Sequence, residues 1–273
     1  MRGKLFVVGT PIGNLSDISP RGLETLQKVD FIAAEDTRVT AKLLNHFRIK
    51  KPLISYFEHN KREKGQIITD RILAGENCAL VTDAGMPCIS DPGEDLVRLC
   101  MDNEVEIESV PGPTAFATAI AISGMSAGRF TFEGFLSVNK QERKEHLESL
   151  KNEKRTMIFY EAPHKLKKTL SDFGKYFPDR QMAIVKELTK IHESVVIVNT
   201  NVAASLFDDR EPRGEYVLIL EAAKTDNKKE ISPEQAKKLA RELIDKGMSV
   251  NEAAKTVAAE TGLKKSDIYK SLV

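Results

Sequence analysis

The sequence predicts an α/β protein with two α/β domains, the first built on a parallel sheet and the second on a mixed sheet, followed by a small helical C-terminal segment. Strand-like and helix-like segments alternate through roughly the first 120 residues, which favours a parallel sheet. Further along, the strand-like segments QMAIVKEL and SVVIVNT are joined by a short link, which indicates an antiparallel pair. We therefore expect domains at residues 1–122 and 123–223, and a helical segment at 230–273.

The strands of the first domain are short apolar runs that end in Gly, Pro or polar turns. They are KLFVVGT, FIAAED, PLISYF, CALVT and VEIESV. Of the helices between them, the first is predicted to begin at Ser19-Pro20, with Ser as the N-cap and Pro in the first turn. Asp91, followed by Pro92 and Glu94, predicts a capping box that starts a later helix.

The second domain and the C-terminal segment follow the same rules. The strand-like segments are FTFEGFL, RTMIFYEA, QMAIVKEL, SVVIVNT and GEYVLILE, and the helix-like segments are residues 140–152, 163–176 and 201–207. After a polar stretch at 222–232, Ser232 predicts a helix start, and Ser249 with Glu252 predicts a second capping box. The segment resembles a helix-turn-helix, and a helical cap or dimer arm is the alternative.

Composition restricts the possible classes of function. The chain has 273 residues and a formal net charge of +1, so an anionic partner must be met by local basic patches. Three cysteines at irregular spacing, and histidines without partners at metal spacing, predict reduced thiols and no metal site. Because no stretch approaches the ~20 apolar residues of a membrane span, we expect a cytoplasmic protein with no membrane partner.

Four loops that follow predicted strands are rich in Gly and Pro: TPIGN, AEDTR, VTDAGMPCISDPG and PGPTA. In a parallel sheet, ligands bind beyond the carboxyl ends of the strands, where these loops would lie. None of the loops has the glycine pattern of a dinucleotide fingerprint or of a phosphate loop. A ligand with an adenosine and an amino acid, but no phosphate, therefore fits better than a nucleotide.

Seven motifs in order resemble the ribosomal RNA small-subunit methyltransferase I family of the tetrapyrrole methylase superfamily. They are LFVVGTPIGNLSDIS, AAEDTR, VTDAGMPCISDPG, VPGPTA, FYEAPHK, KELTKIHE and PRGEYVL. The resemblance implies two α/β domains, homodimers, and S-adenosyl-L-methionine-dependent 2'-O-methylation of a cytidine ribose, cytidine 1402, in the decoding region of 16S rRNA. The partner would be 16S rRNA or the small ribosomal subunit.

The resemblance also suggests site residues. The expected cofactor contacts are Pro11, Asp83, Gly85, Met86, Ile89, Thr114, Ala115 and Tyr160. Candidates for a general base or an orienting group are Glu35, Glu161, Glu187 and Lys190. The sequence departs from the family pattern at Met86, where Thr is common, and at Lys165, where Arg is frequent.

Basic residues near these motifs are candidates for contacts to RNA phosphates. The expected contacts are Arg38, Lys61, Arg62, Lys144, Lys165 and Arg213, and the adjoining patches also include Lys64, Arg143, Lys167 and Lys168. Tyr56, Phe57 and Tyr160 could stack on bases or belong to the core. Two other functions remain open: methylation of a small macrocycle such as a corrinoid precursor, and non-catalytic binding of RNA or the ribosome.

Overall fold

The first sheet consists of five parallel strands, as the strand–helix alternation predicted. The structure, a computed structural model, describes residues 2–209, 211–223, 232–261 and 263–272. The strands are β1 (Lys4–Val8), β2 (Phe31–Ala34), β3 (Leu53–Ser55), β4 (Cys78–Val81) and β5 (Glu106–Val110). Their order across the sheet is β3-β2-β4-β1-β5, and every pairing is parallel. The carboxyl ends of the strands therefore lie along one edge.

Helices cover both faces of this sheet. They are α1 (Pro20–Lys28), α2 (Thr37–His46), α3 (Lys61–Leu73) and α4 (Gly93–Asp102), with a 3-10 helix at Leu15–Asp17. The next helix, α5 (Ala115–Ile122), packs against the second sheet. Because side chains alternate along a strand, β2 contributes Ile32 to the face packed by α1 and α2, and Phe31 to the face packed by α3 and α4. Ser19 caps α1 as predicted and accepts a hydrogen bond from Gly22 N.

The predicted capping box at Asp91 is wrong. Helix α4 begins at Gly93, its N-cap is Pro92, and no side chain caps it. The Asp91 carboxylate instead accepts hydrogen bonds from the backbone N–H groups of Cys88 and Gly93. Asp91 thus closes the loop that precedes the helix. Its two oxygens accept hydrogen bonds from Cys88 and Gly93, so the carboxylate does not cap the first turn of α4.

The second sheet is mixed, as the short link between two strands predicted. Its strands are β6 (Phe130–Phe135), β7 (Thr156–Glu161), β8 (Gln181–Lys186), β9 (Ser194–Asn199) and β10 (Tyr216–Leu220). Their order is β6-β7-β10-β8-β9, with β6 and β7 parallel and the other pairs antiparallel. Helices α6 (Lys140–Ser149) and α7 (Pro163–Tyr176) pack on one face, and residues Ala204–Phe207 form a 3-10 helix.

The other face of the second sheet is covered by elements from the first half of the chain. Ala119 and Ile120 of α5, together with Ile12 after β1, pack against Ile158 and Val217. This apolar contact brings the carboxyl edge of the first sheet against the second sheet. The site described below lies at this junction.

The contacts divide the chain into two compact units, Met1–Ala222 and Ala223–Val273. The predicted domain boundary between residues 122 and 123 falls inside the first unit and stays a prediction. Most of the predicted linker at 222–232 lies outside the described residues. The second unit contains α8 (Pro233–Asp245), α9 (Val250–Thr261) and α10 (Lys265–Leu272), packed around small apolar side chains such as Ala236 and Ala253.

Both predicted helix starts in the second unit are confirmed. Ser232 and Gln235 form a reciprocal capping box at α8. Ser249 and Glu252 exchange the same pair of hydrogen bonds before α9. Local side-chain chemistry is therefore sufficient to place these two helices.

Candidate functional site

A cavity of about 370 Å³ lies where the carboxyl edge of the first sheet meets the second sheet. Its volume lies in the ~300–1,000 Å³ range typical of small-molecule sites. The structure brings seven of the eight predicted cofactor contacts to its wall: Asp83, Gly85, Met86, Ile89, Thr114, Ala115 and Tyr160. Pro11 is buried beside a separate, smaller cavity, while its neighbour Ile12 lines the main one.

Close backbone packing holds the loops at the floor of the cavity. Gly9 and Gly112 approach so tightly that a Cβ on Gly9 would stand 2.6 Å from Gly112 Cα and 2.7 Å from the Met86 sulfur. Thr10 and Gly85 exchange backbone hydrogen bonds of 2.9 and 3.1 Å, and Gly85 has φ of +90°. A left-handed residue is accommodated most easily as glycine. The glycines thus permit an approach that larger residues would prevent.

Glu35 and Asp83 form a coupled acidic pair at one wall. Glu35 Oε2 accepts hydrogen bonds from the Thr82 hydroxyl at 2.5 Å and from Asp83 N at 3.4 Å, while Asp83 Oδ1 accepts one from Asp36 N at 3.1 Å. Partial burial, and then the negative charge of Glu35, raise the pKa of Asp83. The two carboxylates therefore favour a cation or a hydrogen-bond donor beside them.

The segment from Met86 to Asp91 forms another wall. Cys88 has φ of +70°, a conformation that a non-glycine residue adopts only with support. The Asp91 carboxylate supplies that support through Cys88 N, and burial raises the pKa of Asp91. Ile89 is left exposed at the cavity wall. Sequence reasoning missed Asp91 as a wall residue because helix capping already explained it.

Glu161 lies at the end of β7 and is almost completely buried. Its Oε1 accepts a hydrogen bond from Ala162 N at 2.9 Å, and its Oε2 accepts one from the Thr169 hydroxyl. Arg143 Nη2 donates to the same hydroxyl at 2.8 Å, and Arg143 Nε donates to Asp172. A hydrogen-bonded chain thus holds the Glu161 carboxylate at the cavity wall with both oxygens engaged.

Aromatic side chains complete the side contributed by the second sheet. The Tyr160 hydroxyl accepts a hydrogen bond from Phe116 N at 3.1 Å, in the first turn of α5. Its ring meets those of Phe132 and Phe135 edge-on, with centroids 4.9 and 5.5 Å apart. Phe135 is exposed and lines the cavity, although no motif had marked it. Burial raises the pKa of Tyr160.

Glu187 and Lys190 do not line the cavity, but they hold a residue that does. Lys190 Nζ lies 2.9 Å from a carboxylate oxygen of Glu187 and 2.9 Å from one of Glu215, which lines the cavity. Burial opposes both charges, but the hydrogen bonds outweigh it, so the pKa of Glu187 is lowered and that of Lys190 is raised. Glu215 lies within the PRGEYVL motif but was not among the residues predicted for the site.

The charge of the cavity indicates what it can hold. Among the described residues that line it, five carry carboxylates and none is Lys, Arg or His; the five are Glu35, Asp83, Asp91, Glu161 and Glu215. Apolar side chains, including Ile12, Met86 and Leu188, form much of the remainder. Such a lining disfavours phosphate and suits a cationic ligand with an apolar ring system. S-adenosylmethionine, which carries a sulfonium and an ammonium group and no phosphate, fits this wall.

The predicted RNA contacts are scattered, and several are engaged elsewhere. Lys61 Nζ is paired with Glu58 at 2.8 Å and Asp95 at 2.7 Å, and Arg38 is paired with Asp36. Arg62, Lys144 and Arg213 are exposed, and Lys165 is half-buried in the first turn of α7. The prediction that Arg143 contacts RNA is wrong. Its side chain is buried and donates a hydrogen bond to the Thr169 hydroxyl, which in turn donates to Glu161.

The described part of the chain has neither a cluster of metal-binding side chains nor a helix that could span a membrane. There, no group of three or more His, Cys, Asp or Glu side chains is arranged to hold a metal ion. Likewise, no helix in the described ranges is long and apolar enough to cross a membrane.

Comparison with known proteins places this site in context. A family model described as Tetrapyrrole (Corrin/Porphyrin) Methylases matches residues 4–204. The chain is 43% identical over 269 residues to the ribosomal RNA small subunit methyltransferase I of Synechocystis, covering 98% of this chain and 96% of that protein. It is also 43% identical to the Haemophilus influenzae protein of the same name, over 99% of this chain and 96% of that protein.

A solved structure supports the fold at greater distance. The uroporphyrin-III C-methyltransferase of Thermus thermophilus, complexed with S-adenosyl homocysteine, superimposes with a TM-score of 0.58. The alignment covers 80% of this chain and 97% of that structure at 16% sequence identity. At this identity the likeness establishes the fold.

Proposed function

The chain belongs to the ribosomal RNA small subunit methyltransferase I family, and we propose that it transfers a methyl group to the 2'-hydroxyl of a cytidine ribose, cytidine 1402, in 16S rRNA. Its cofactor is S-adenosyl-L-methionine. The observation that carries the proposal is the cavity wall, where the described lining residues include five carboxylates and no basic side chain. That wall accepts a cationic cofactor and keeps the phosphates of the substrate outside.

When bound, S-adenosylmethionine supplies an activated methyl group on a positively charged sulfur. The apolar residues Ile12, Met86 and Leu188 supply surface for its ring system, and the glycine-lined floor allows close backbone contact. The sulfonium loses its charge on transfer, so the carboxylates stabilise the bound cofactor more than the transition state. We therefore assign the carboxylates mainly to binding, and rate acceleration mainly to positioning of the reacting hydroxyl.

Glu35 is the candidate best placed to accept the proton of the ribose hydroxyl. Both oxygens of Glu161 are occupied, and Glu187 is held by Lys190 away from the cavity wall. Within the described residues, Oε2 of Glu35 accepts two hydrogen bonds and Oε1 accepts none. A carboxylate with one oxygen fixed and the other open can orient a hydroxyl and receive its proton.

Glu35→Gln tests this assignment because the amide keeps the size and the accepting oxygen but is not basic. The expected result is a fall in kcat of about 10²- to 10⁴-fold. A smaller loss of cofactor affinity should accompany it, because one negative charge leaves the cavity wall. Glu63→Gln, on an exposed side chain of α3, is the matched control. A Glu35→Gln enzyme with unchanged kcat would remove Glu35 from the role of base.

The charge of the cavity also bears on the alternative functions. The acidic wall repels the carboxylates of a corrinoid precursor and the phosphates of RNA alike, and the RNA substrate is favoured by relatives at 43% identity that are named ribosomal RNA small subunit methyltransferase I. A non-catalytic RNA- or ribosome-binding protein would have no use for a cavity suited to a sulfonium compound. A titration with S-adenosylmethionine that shows no binding would count against both enzymatic functions.

For assembly we propose a homodimer that acts on small subunits in the cytoplasm. The support lies at β9, the edge strand of the second sheet, where Ile197 is 52% exposed, and in the turn before it, where Ile191 is 96% exposed. Exposed apolar side chains along an edge strand favour pairing with another chain. Ile197→Lys should shift the sedimentation of the protein towards the monomer, and an unchanged profile would place the dimer contact elsewhere.

The decisive test of the activity is methyl transfer from labelled S-adenosylmethionine to small subunits that lack the modification, with naked 16S rRNA in parallel. The modified nucleotide is then mapped. We expect label on the 2'-oxygen of one cytidine. Label on a base, or on a different nucleotide, would contradict the stated chemistry.

A further inference from the structure

A second cavity of about 590 Å³ adjoins the cofactor cavity. The two cavities share one wall, because Glu35, Ile89, Ser90 and Asp91 line both. Hydrogen bonds from Cys88 N and Gly93 N to the Asp91 carboxylate hold the loop that forms the shared wall. A molecule bound in the second cavity therefore lies next to the place where the cofactor is held.

The side chain of Phe57 supplies an apolar ring at the wall of this second cavity. Phe57 lies on the turn after β3, is 38% exposed, and meets the ring of His59 edge-on with centroids 6.1 Å apart. Asn60 fixes the turn: its Oδ1 accepts a hydrogen bond from Phe57 N at 2.9 Å, and its Nδ2 donates to Ser55 O at 3.1 Å. The neighbouring Tyr56 is buried, so only Phe57 of this pair offers a stacking surface.

The covalent structure of a nucleotide links the two cavities. The base and the 2'-oxygen are attached to neighbouring carbons of the ribose. An enzyme that presents the 2'-oxygen beside Glu35 must therefore accommodate the base in the space directly next to it. The second cavity borders this position, since Glu35 lines both cavities.

The charges that line the second cavity favour a nucleobase over a phosphate group. Lys61, its one lysine, is already neutralised by Glu58 and Asp95. Glu94 is exposed in the first turn of α4 and also lines the cavity. Carboxylates accept hydrogen bonds from exocyclic amines such as the N4 amine of cytosine.

We propose that the second cavity binds the base of the nucleotide whose ribose is methylated, with Phe57 as the stacking surface and Glu94 as the acceptor for an exocyclic amine. The inference rests on the proposed function, because it takes the RNA ribose as the methyl acceptor. The base enters the cavity after it leaves its stack, as enzymes that act on single nucleotides commonly require.

Phe57 variants test the stacking surface in the methyl-transfer assay with small subunits. Stacking of one base on an aromatic ring supports a loss of about 5- to 100-fold in kcat/KM for Phe57→Ala and Phe57→Leu. Phe57→Tyr keeps the ring and should stay near wild type. Phe130→Ala is the matched control, because Phe130 is also 38% exposed and lines neither cavity. The affinity for S-adenosylmethionine is measured for every variant and should not change.

The outcomes separate this inference from the proposed function. Wild-type protein that transfers no methyl group to the subunits, or that labels a base, defeats the proposed function. If wild type is active, and Phe57→Ala and Phe57→Leu both keep kcat/KM within twofold of wild type, the base-binding inference is wrong and the proposed function stands. Loss of cofactor binding in all three Phe57 variants would also overturn the inference, because Phe57 would then support the cofactor loop.

Glu94 is tested through base selectivity. Small subunits are reconstituted with cytidine or uridine at the mapped position, and kcat/KM is measured for each. Wild type should prefer cytidine, and Glu94→Gln should lower that preference about 5- to 100-fold, since a good base contact discriminates by roughly that factor. Glu145→Gln, on an exposed side chain, is the control and should keep the preference for cytidine. If Glu94→Gln also keeps that preference, Glu94 takes no part in recognition of the base.

Discussion

Gly214 packs directly against the carboxyl group of Glu187: a Cβ on the glycine would stand 2.6 Å from Glu187 Cδ and 2.6 Å from Oε1. The backbone N–H of Glu215, the next residue, donates to the same oxygen at 3.0 Å. The glycine thus lets the chain pass close enough for Glu187, Lys190 and Glu215 to form one cluster at the edge of the cofactor cavity.

Gly214→Ala should break this cluster. The φ of Gly214 is +90°, so alanine is strained there, and its methyl group also displaces Glu187. We expect a loss of about 2–4 kcal/mol in the free energy of unfolding, measured with urea. Gly124→Ala is the control, because Gly124 also has a positive φ (+71°) but nothing lies within 4 Å of its Cβ position. Equal losses in the two variants would show that backbone strain alone is responsible.

Gly9→Ala should weaken cofactor binding at least tenfold. The added methyl group would collide with the Gly112 backbone and the Met86 sulfur, and so would separate two loops that line the cavity. Calorimetric titration with S-adenosylmethionine measures the effect. Gly128→Ala serves as the control, since nothing lies within 4 Å of that position. Unchanged affinity in Gly9→Ala would mean that the loop contact is not needed for binding.

Thr169→Val should destabilise the protein by about 1.5–3 kcal/mol, because it removes a hydrogen bond to a buried carboxylate at nearly constant volume. It also leaves one Arg143 N–H without its partner. Thr25→Val, which removes an exposed hydroxyl bonded to Arg21 O, is the control and should cost well under 1 kcal/mol. Denaturant unfolding compares the two. If Thr169→Val costs no more stability than Thr25→Val, the hydrogen bonds from Arg143 through Thr169 to Glu161 do not stabilise the fold.

Asp83 should show opposite effects on stability and on binding. Its raised pKa means that the folded protein holds the proton more tightly than the unfolded chain. The carboxylate therefore costs stability progressively as the pH rises from the unfolded pKa to the folded pKa, and the penalty is complete above the folded pKa. Asp83→Asn should be more stable than wild type at about pH 7.5, and this gain should shrink as the pH falls towards about 4.

The same position should matter for the cofactor. Asp83→Ala and Asp83→Asn should both weaken binding of S-adenosylmethionine, because each removes a negative charge from the cavity wall. A calorimetric titration measures the affinity at neutral pH. Tighter binding in Asp83→Asn would contradict a cationic ligand beside Asp83.

Lys165→Glu should weaken binding to the small subunit and leave cofactor affinity unchanged. Lys165 lies in the first turn of α7, after the carboxyl end of β7, and loses a positive charge that could meet a phosphate. Lys151→Glu, in the turn before the other end of β7, is the matched reversal and should bind normally. The difference should diminish with added salt. Equal loss of subunit and cofactor binding would indicate a folding defect.

Much of the fold could be predicted because the signals are local. The alternation of strand and helix patterns, the Ser19 and Ser232 caps, and the short link between β8 and β9 each depend on neighbouring residues. Seven residues of the cofactor wall could be named because their motifs resemble those of the family. Six of them follow β4 or β5, whose ends share one edge, and Tyr160 lies in β7 of the second sheet. The prediction that Asp91 caps α4 was wrong, because its carboxylate accepts a hydrogen bond from Cys88 N, a donor that the folded loop places beside it.

The sequence by itself determined the two α/β sheets, the helix starts and the loops that surround the cofactor, because periodicity and capping act over a few residues. Only the tertiary structure decided that Lys61 is neutralised by Asp95, that Arg143 is buried beneath Glu161, and that Phe57 rather than Tyr56 faces outward. These outcomes depend on packing between segments far apart in the chain. Charge pairing and burial are decided by such contacts, and a local pattern does not contain them.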